Sequence, residues 1–109
     1  MNKFIEKFKN GLVVKVNPKN VEKFLEIIQY NSNIRWGGGQ SPIAFNPFLT
    51  YSQEKYSYIF YNKKVNGMNV TFFLENVKNE IYDFQNFKLD LEEPVTFKKS
   101  ITDFLTKKH

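Results

Sequence analysis

Apolar residues recur along this chain with two different periods, and the change of period divides it into elements. Val21, Phe24, Leu25 and Ile28 fall at i, i+3, i+4 and i+7, which places them on one face of a helix predicted from about Pro18 to Tyr30. Lys19, Glu22, Lys23, Glu26 and Gln29 take the other faces. Asn17 offers a side-chain acceptor to the free N–H groups of the first turn, and Pro18 brings a preset φ to the first helical position. Asn31-Ser32-Asn33 ends the pattern. Just ahead of the helix, Leu12-Val13-Val14-Lys15-Val16 is a β-branched run between Gly11 and Asn17-Pro18, and reads as a strand. Phe4, Ile5 and Phe8 have the spacing of a helical turn or two ending at Gly11.

The period then drops to two. Asn66-Gly67 is the pair that a type I′ turn prefers, because both central residues need φ > 0. Read as a two-residue loop, it joins a strand over Tyr56–Val65 to one over Met68–Glu75. Val65 then faces Met68, Tyr61 faces Phe72 and Ile59 faces Leu74. One face carries Ile59, Tyr61, Val65, Met68, Val70, Phe72 and Leu74, interrupted by Lys63, and is expected to be the core face. The other carries Tyr56, Tyr58, Phe60 and Phe73 among Asn62, Lys64, Asn69, Thr71 and Glu75, with Phe73 opposite Phe60. Residues 37–55 read mostly as loop, with Gly37-Gly38-Gly39, Pro42 and Pro47. Beyond the hairpin, Phe87, Leu89 and Leu91 alternate, as do Val95 and Phe97, which predicts one or two further strands. Ser100 and Asp103 have capping-box spacing ahead of a short helix carrying Ile101, Phe104 and Leu105. The expected fold is α+β: one domain over residues 1–109, with an antiparallel sheet built on the central hairpin. That sheet packs against one main amphipathic helix, and short helices stand at the termini.

Composition narrows the chemistry. The chain has no cysteine, which excludes a disulfide scaffold, a thiolate nucleophile and a cysteine-ligated metal site. Its single histidine is the last residue, His109, so no oriented Ser–His or Cys–His arrangement can be built. Among the acids, Glu92-Glu93 reads as a solvated turn before Pro94, and Asp83 and Asp90 lack metal-ligand spacing. The expectation is a protein without catalytic residues, metal or cofactor. The N-terminus is interrupted by charge and has no apolar h-region, and no stretch is long enough to span a bilayer, so a soluble cytoplasmic protein is expected.

The net charge of +5 arises from 16 Lys+Arg against 11 Asp+Glu, and Arg35 is the one arginine. Lys, Asn, Phe and Ile all have A/T-rich codons, so the lysine bias reads first as a base-composition signature. Residues 1–26 carry +3 and residues 98–109 carry +3, whereas residues 63–97 carry −2. The basic excess therefore lies at the two ends, in Lys3, Lys7, Lys9, Lys98, Lys99, Lys107 and Lys108.

Two surfaces stand out as candidates. The first is Arg35, Trp36, Gly37, Gly38, Gly39 and Gln40. Trp and Arg are the types most enriched at binding hot spots, and glycines let another backbone approach closely. No phosphate-loop signature accompanies the glycines, and Pro42 and Pro47 argue against a helix following them. Trp36, with its large apolar area, favours a place in the core. The second is the mixed hairpin face. If exposed, Tyr56, Tyr58, Phe60 and Phe73 would form a stacking platform, and Lys64 and the terminal lysines would supply phosphate contacts.

Val14-Lys15-Val16-Asn17, the helix, then Ile34-Arg35-Trp36-Gly37-Gly38-Gly39, then Tyr58-Ile59-Phe60-Tyr61 and Ile101-Thr102-Asp103-Phe104-Leu105 together resemble a loose group of small bacteriophage proteins. The resemblance implies a mobile-element origin, a small mixed α/β fold and no established activity. By analogy with small accessory phage proteins, it implies a host protein as partner. One form is a non-enzymatic inhibitor of a host defence protein, such as an anti-CRISPR, and another is a sponge for a nucleotide signal, in the host cytoplasm in either case. The alternative from the residues themselves is a small nucleic-acid-binding module.

Overall fold

The computed structural model describes residues 3–84. The strands expected at Phe87–Phe97, the helix after Ser100, the Glu92-Glu93 turn, Asp90 and the C-terminal lysines lie outside the described residues.

Helix α1 (Lys3–Lys9) turns Phe4, Ile5 and Phe8 inward. It ends as expected at Gly11, whose φ of +119° is a conformation open to glycine, while Leu12 N–H closes on the Lys7 carbonyl. Strand β1 (Val13–Val16) follows, and then helix α2 (Val21–Asn31). The helix starts three residues later than Pro18 because the residues ahead of it form their own turn. Asn17 Oδ1 accepts from the N–H groups of Lys19 and Asn20 at 2.8 and 2.9 Å, and Asn20 Oδ1 accepts from Asn17 N–H at 2.8 Å. Asn17 thus caps this lead-in turn, and Asn20 occupies the helix N-cap. The buried stripe is the predicted one widened by Ile27.

Strands β2 (Ser57–Asn62) and β3 (Gly67–Thr71) form the hairpin, and β4 (Ile81–Asp83) completes a sheet of order β3-β2-β1-β4. The sheet is mixed rather than purely antiparallel: β4 runs parallel to β1, with Val14 opposite Tyr82 and Val13 N–H donating to the Glu80 carbonyl. Residues 72–80 carry the chain back past β1, so β4 enters alongside β1 in the same direction.

The hairpin turn differs from the expected one. The loop has four residues, 63–66, and Asn66 alone has φ > 0 (53°), so there is no type I′ turn at Asn66-Gly67. Tyr61 opposes Met68 instead of Phe72, Ile59 opposes Val70 instead of Leu74, and Phe60 opposes Asn69 instead of Phe73. Each partner on β3 is displaced by four positions, an even number, so every side chain keeps its predicted face. Ile59 and Met68 are fully buried and Tyr61, Val70 and Phe72 pack on the core, but Val65 and Leu74, left beyond the paired region, are exposed.

The core lies between the helices and the face of the sheet that carries Val14, Val16, Ile59 and Met68. Phe24 stands at its centre, with Phe4, Phe8 and Phe84 edge-on to it at centroid distances of 6.3, 5.6 and 5.7 Å. Such edge-to-face pairs add about 0.5–1.5 kcal/mol each beyond area burial. Ser57 is the one buried polar residue in this set, and its Oγ has no hydrogen-bond partner among the described residues.

Candidate functional site

Trp36 belongs to the core, as its size suggested. It is 5% exposed, its indole Nε1–H donates to the Pro42 carbonyl at 3.0 Å, and its ring meets Phe45 edge-on at 5.1 Å. This anchor fixes the chain on either side of it. Met68 N–H donates to the Arg35 carbonyl at 2.8 Å, and Gly37 N–H donates to the Met68 carbonyl at 2.9 Å. Residues 35–37 therefore lie along the outer edge of β3 as a short parallel bridge.

Close approach explains two glycines that the sequence left open. A Cβ on Gly67 would stand 2.8 Å from the Arg35 carbonyl oxygen and from the Gly37 N and Cα, all of them backbone. A Cβ on Gly37 would stand 2.9 Å from the Asn69 and Val65 side chains. Gly67 is thus a strand glycine that admits a crossing backbone, a role that glycine inside a strand often signals.

Past Gly37 the chain turns sharply away. Gly39 N–H donates to the Trp36 carbonyl at 2.8 Å, and Trp36 N–H donates to the Gln40 carbonyl at 2.9 Å. Arg35 Nη1 crosses the turn to the Gly39 carbonyl at 2.8 Å. Gly39, at φ +97° and with open space around it, supplies the reversal. Arg35, Gly38, Gly39 and Gln40 are exposed, Gly37 is half-buried and Trp36 is hidden. Five of the six predicted contact residues therefore keep solvent access, held on a buried sixth. Pro42 and Pro47, read as excluding helix, instead sit at the start of two short turns: a 3₁₀ turn (Pro42–Ala44) and the one-turn helix α3 (Pro47–Thr50). Proline lacks only the N–H that a first helical position leaves unused, and Asn46 Oδ1 caps α3 through Phe48 N–H at 2.9 Å.

A groove of about 500 Å³ runs between this loop and the edge of β3. Residues 36–38 and 40, Phe45, Phe60 and residues 68–70 line it, and none of them is charged.

The aromatic platform expected on the hairpin is not assembled. Tyr58 is 7% exposed, Phe60 is half-buried, and Phe73, past the end of β3, is exposed but opposite nothing on β2. Tyr56 precedes β2 and lies under the Lys15 ammonium at 4.1 Å. Lys64 is exposed in the hairpin loop, its N–H donating to Asn62 Oδ1. Of the N-terminal lysines, Lys9 stands 5.7 Å from the Tyr61 ring centroid. An apolar cluster that the sequence did not mark lies near α3, where Tyr51 tilts onto Phe72 at 4.8 Å and Phe48 meets it edge-on at 6.0 Å.

Asp83 is half-buried on β4, level with Lys15 on β1. Among the described residues no group of three or more His, Asp or Glu could hold a metal ion, and no helix is long and apolar enough to cross a membrane. No family model, curated protein or solved structure matches this chain.

Proposed function

We propose that this chain is a non-enzymatic binding protein whose contact surface is the loop of residues 35–40, and that its partner is a protein. The observation behind this reading is the combination of exposure and restraint in that loop. Arg35 and Gln40 are exposed, yet the turn between them is closed by three hydrogen bonds and fastened to β3 through Trp36. A loop already held in one shape loses little conformational entropy on binding, which is where flexible loops forfeit affinity. Arginine is also a frequent anchor at protein interfaces. The resemblance to small bacteriophage accessory proteins gives the proposal its specific form, an inhibitor of a host defence protein, with fold-level analogy as its only support.

Photo-crosslinking tests it. A photoreactive amino acid is placed at Arg35, at Gln40 and, as control, at Glu22 on the exposed side of α2, and each variant is irradiated in bacterial lysate. One protein, identified by mass spectrometry, should be captured from positions 35 and 40 and not from 22. The purified partner should bind Arg35→Ala at least tenfold more weakly. Capture that ignores position, or no capture, overturns the proposal.

A further inference from the structure

The loop covers only part of β3, and the strand continues beyond it at the edge of the sheet that the described residues form. Met68 turns both its N–H and its C=O outward, to Arg35 and Gly37. Main-chain groups in an antiparallel ladder alternate direction residue by residue. Asn69 and Thr71 therefore turn theirs toward Phe60 and Tyr58 on β2, and Val70 again turns outward. Gly37 is the last loop residue to touch the edge, because the chain reverses at Gly38-Gly39. The outward N–H and C=O of Val70 thus face the groove with no partner among the described residues.

Resting on the binding reading above, we infer that this edge seats an extended peptide segment of the partner. The peptide adds to the sheet in line with residues 35–37, bonding its main chain to Val70 and setting an uncharged apolar side chain against Trp36 and Phe45. Three observations select that occupant. A free donor and acceptor on one edge residue are what an added strand recognises. Residues 35–37 already pair with this edge, so the line an added strand would follow is built into the molecule. The groove holds no charge to meet an anion or an ionised side chain, whose burial there would be costly.

A second copy fits less well. Two β3 strands paired about Val70 would set Met68 of each against Phe72 of the other, where residues 35–37 already occupy the outer groups of Met68.

The test uses the full chain and a displayed library of random short peptides. In the free protein, the Val70 amide should exchange with deuterium on the order of a hundredfold faster than that of Met68. Selected peptides should share an uncharged apolar position and slow exchange at Val70. Val70→Pro removes the outward N–H without touching the β2 ladder, so it should keep the Trp36 emission and lose at least tenfold in affinity, while Val70→Thr binds like the parent. A Val70 amide as protected as that of Met68 overturns the inference, and protection that rises with protein concentration assigns the edge to a second copy. Peptide binding indifferent to Val70→Pro but weakened by Arg35→Ala removes the added strand and leaves the loop as contact surface. Indifference to both removes the loop as well.

Discussion

Replacing Gly67 with alanine asks whether that glycine serves the turn or the crossing backbone. The added Cβ would lie 2.8 Å from three backbone atoms of Arg35 and Gly37, a distance that real Cβ contacts do not show, so one strand must move. The displaced strand is residues 35–37, since β3 is held by its ladder to β2. Two hydrogen bonds at Met68 are then stretched or lost, at about 0.5–1.5 kcal/mol each. Overpacking of a closed site adds about 1–3 kcal/mol. Against these, alanine restricts the unfolded chain and returns about 0.4–1 kcal/mol. The balance is a loss of about 1–5.5 kcal/mol, centred near 3, and at about 4–8 °C per kcal/mol for a domain near this size that central value lowers the midpoint by roughly 12–25 °C. Trp36, the only tryptophan, reports the cause directly. Its emission should shift to the red and become accessible to acrylamide in the folded variant, because the bridge that seats it has loosened. A variant that unfolds within about 0.5 kcal/mol of the parent with unchanged emission would refute the close-approach argument.

Gly39→Ala should behave differently: its Cβ meets nothing, so only the φ of +97° is penalised, at about 1–2 kcal/mol, and urea titration followed by Trp36 emission should show weaker stability with a native spectrum. Ser57→Ala should leave thermal stability unchanged or raise it by up to about 1 kcal/mol, since it removes a buried hydroxyl without a partner among the described residues; a loss above that would reveal a bond to Ser57 Oγ. Because the hairpin aromatics are not gathered on one exposed face, fluorescence anisotropy should detect no saturable binding of single-stranded DNA at about 50 mM salt, where phosphate contacts are strong, and tight salt-sensitive binding would return the nucleic-acid reading to first place.

Periodicity located most of the elements, because helices and strands that bury one face must write that face into the sequence. The stripe Val21, Phe24, Leu25, Ile28 is all buried, and the hairpin face was legible even though its register was not. Face depends on parity along each strand, and a displacement by four preserves it. The register hung on Asn66-Gly67, whose composition matches a tight turn; what decides it is the Arg35–Gly37 backbone lying over Gly67, a contact 30 residues away in sequence that no local pattern records. β4 was illegible for a related reason. Ile81-Tyr82-Asp83 shows no distinctive alternation, and its place is set by β1, which supplies the partners. At the candidate site, residue size already favoured a buried Trp36, but the groups that seat it, the Pro42 carbonyl and the Phe45 ring, are fixed by the turn that follows and by no local pattern.

The pairing of β1 with β4 also fixes an order of assembly. The β2–β3 hairpin closes a loop of four residues, whereas Gly11 and Asn79, bonded beside the β1–β4 seam, are 68 positions apart. Closing the longer loop costs about 2.5 kcal/mol more in chain entropy, so the hairpin forms before β4 docks on β1. β1 leaves the ribosome ahead of α2 and the hairpin, yet its outer edge must wait for residue 81 before it is covered. During synthesis that edge stands open until β4 follows, so the Val13–Val16 segment presents unpaired main-chain groups that another strand can template on.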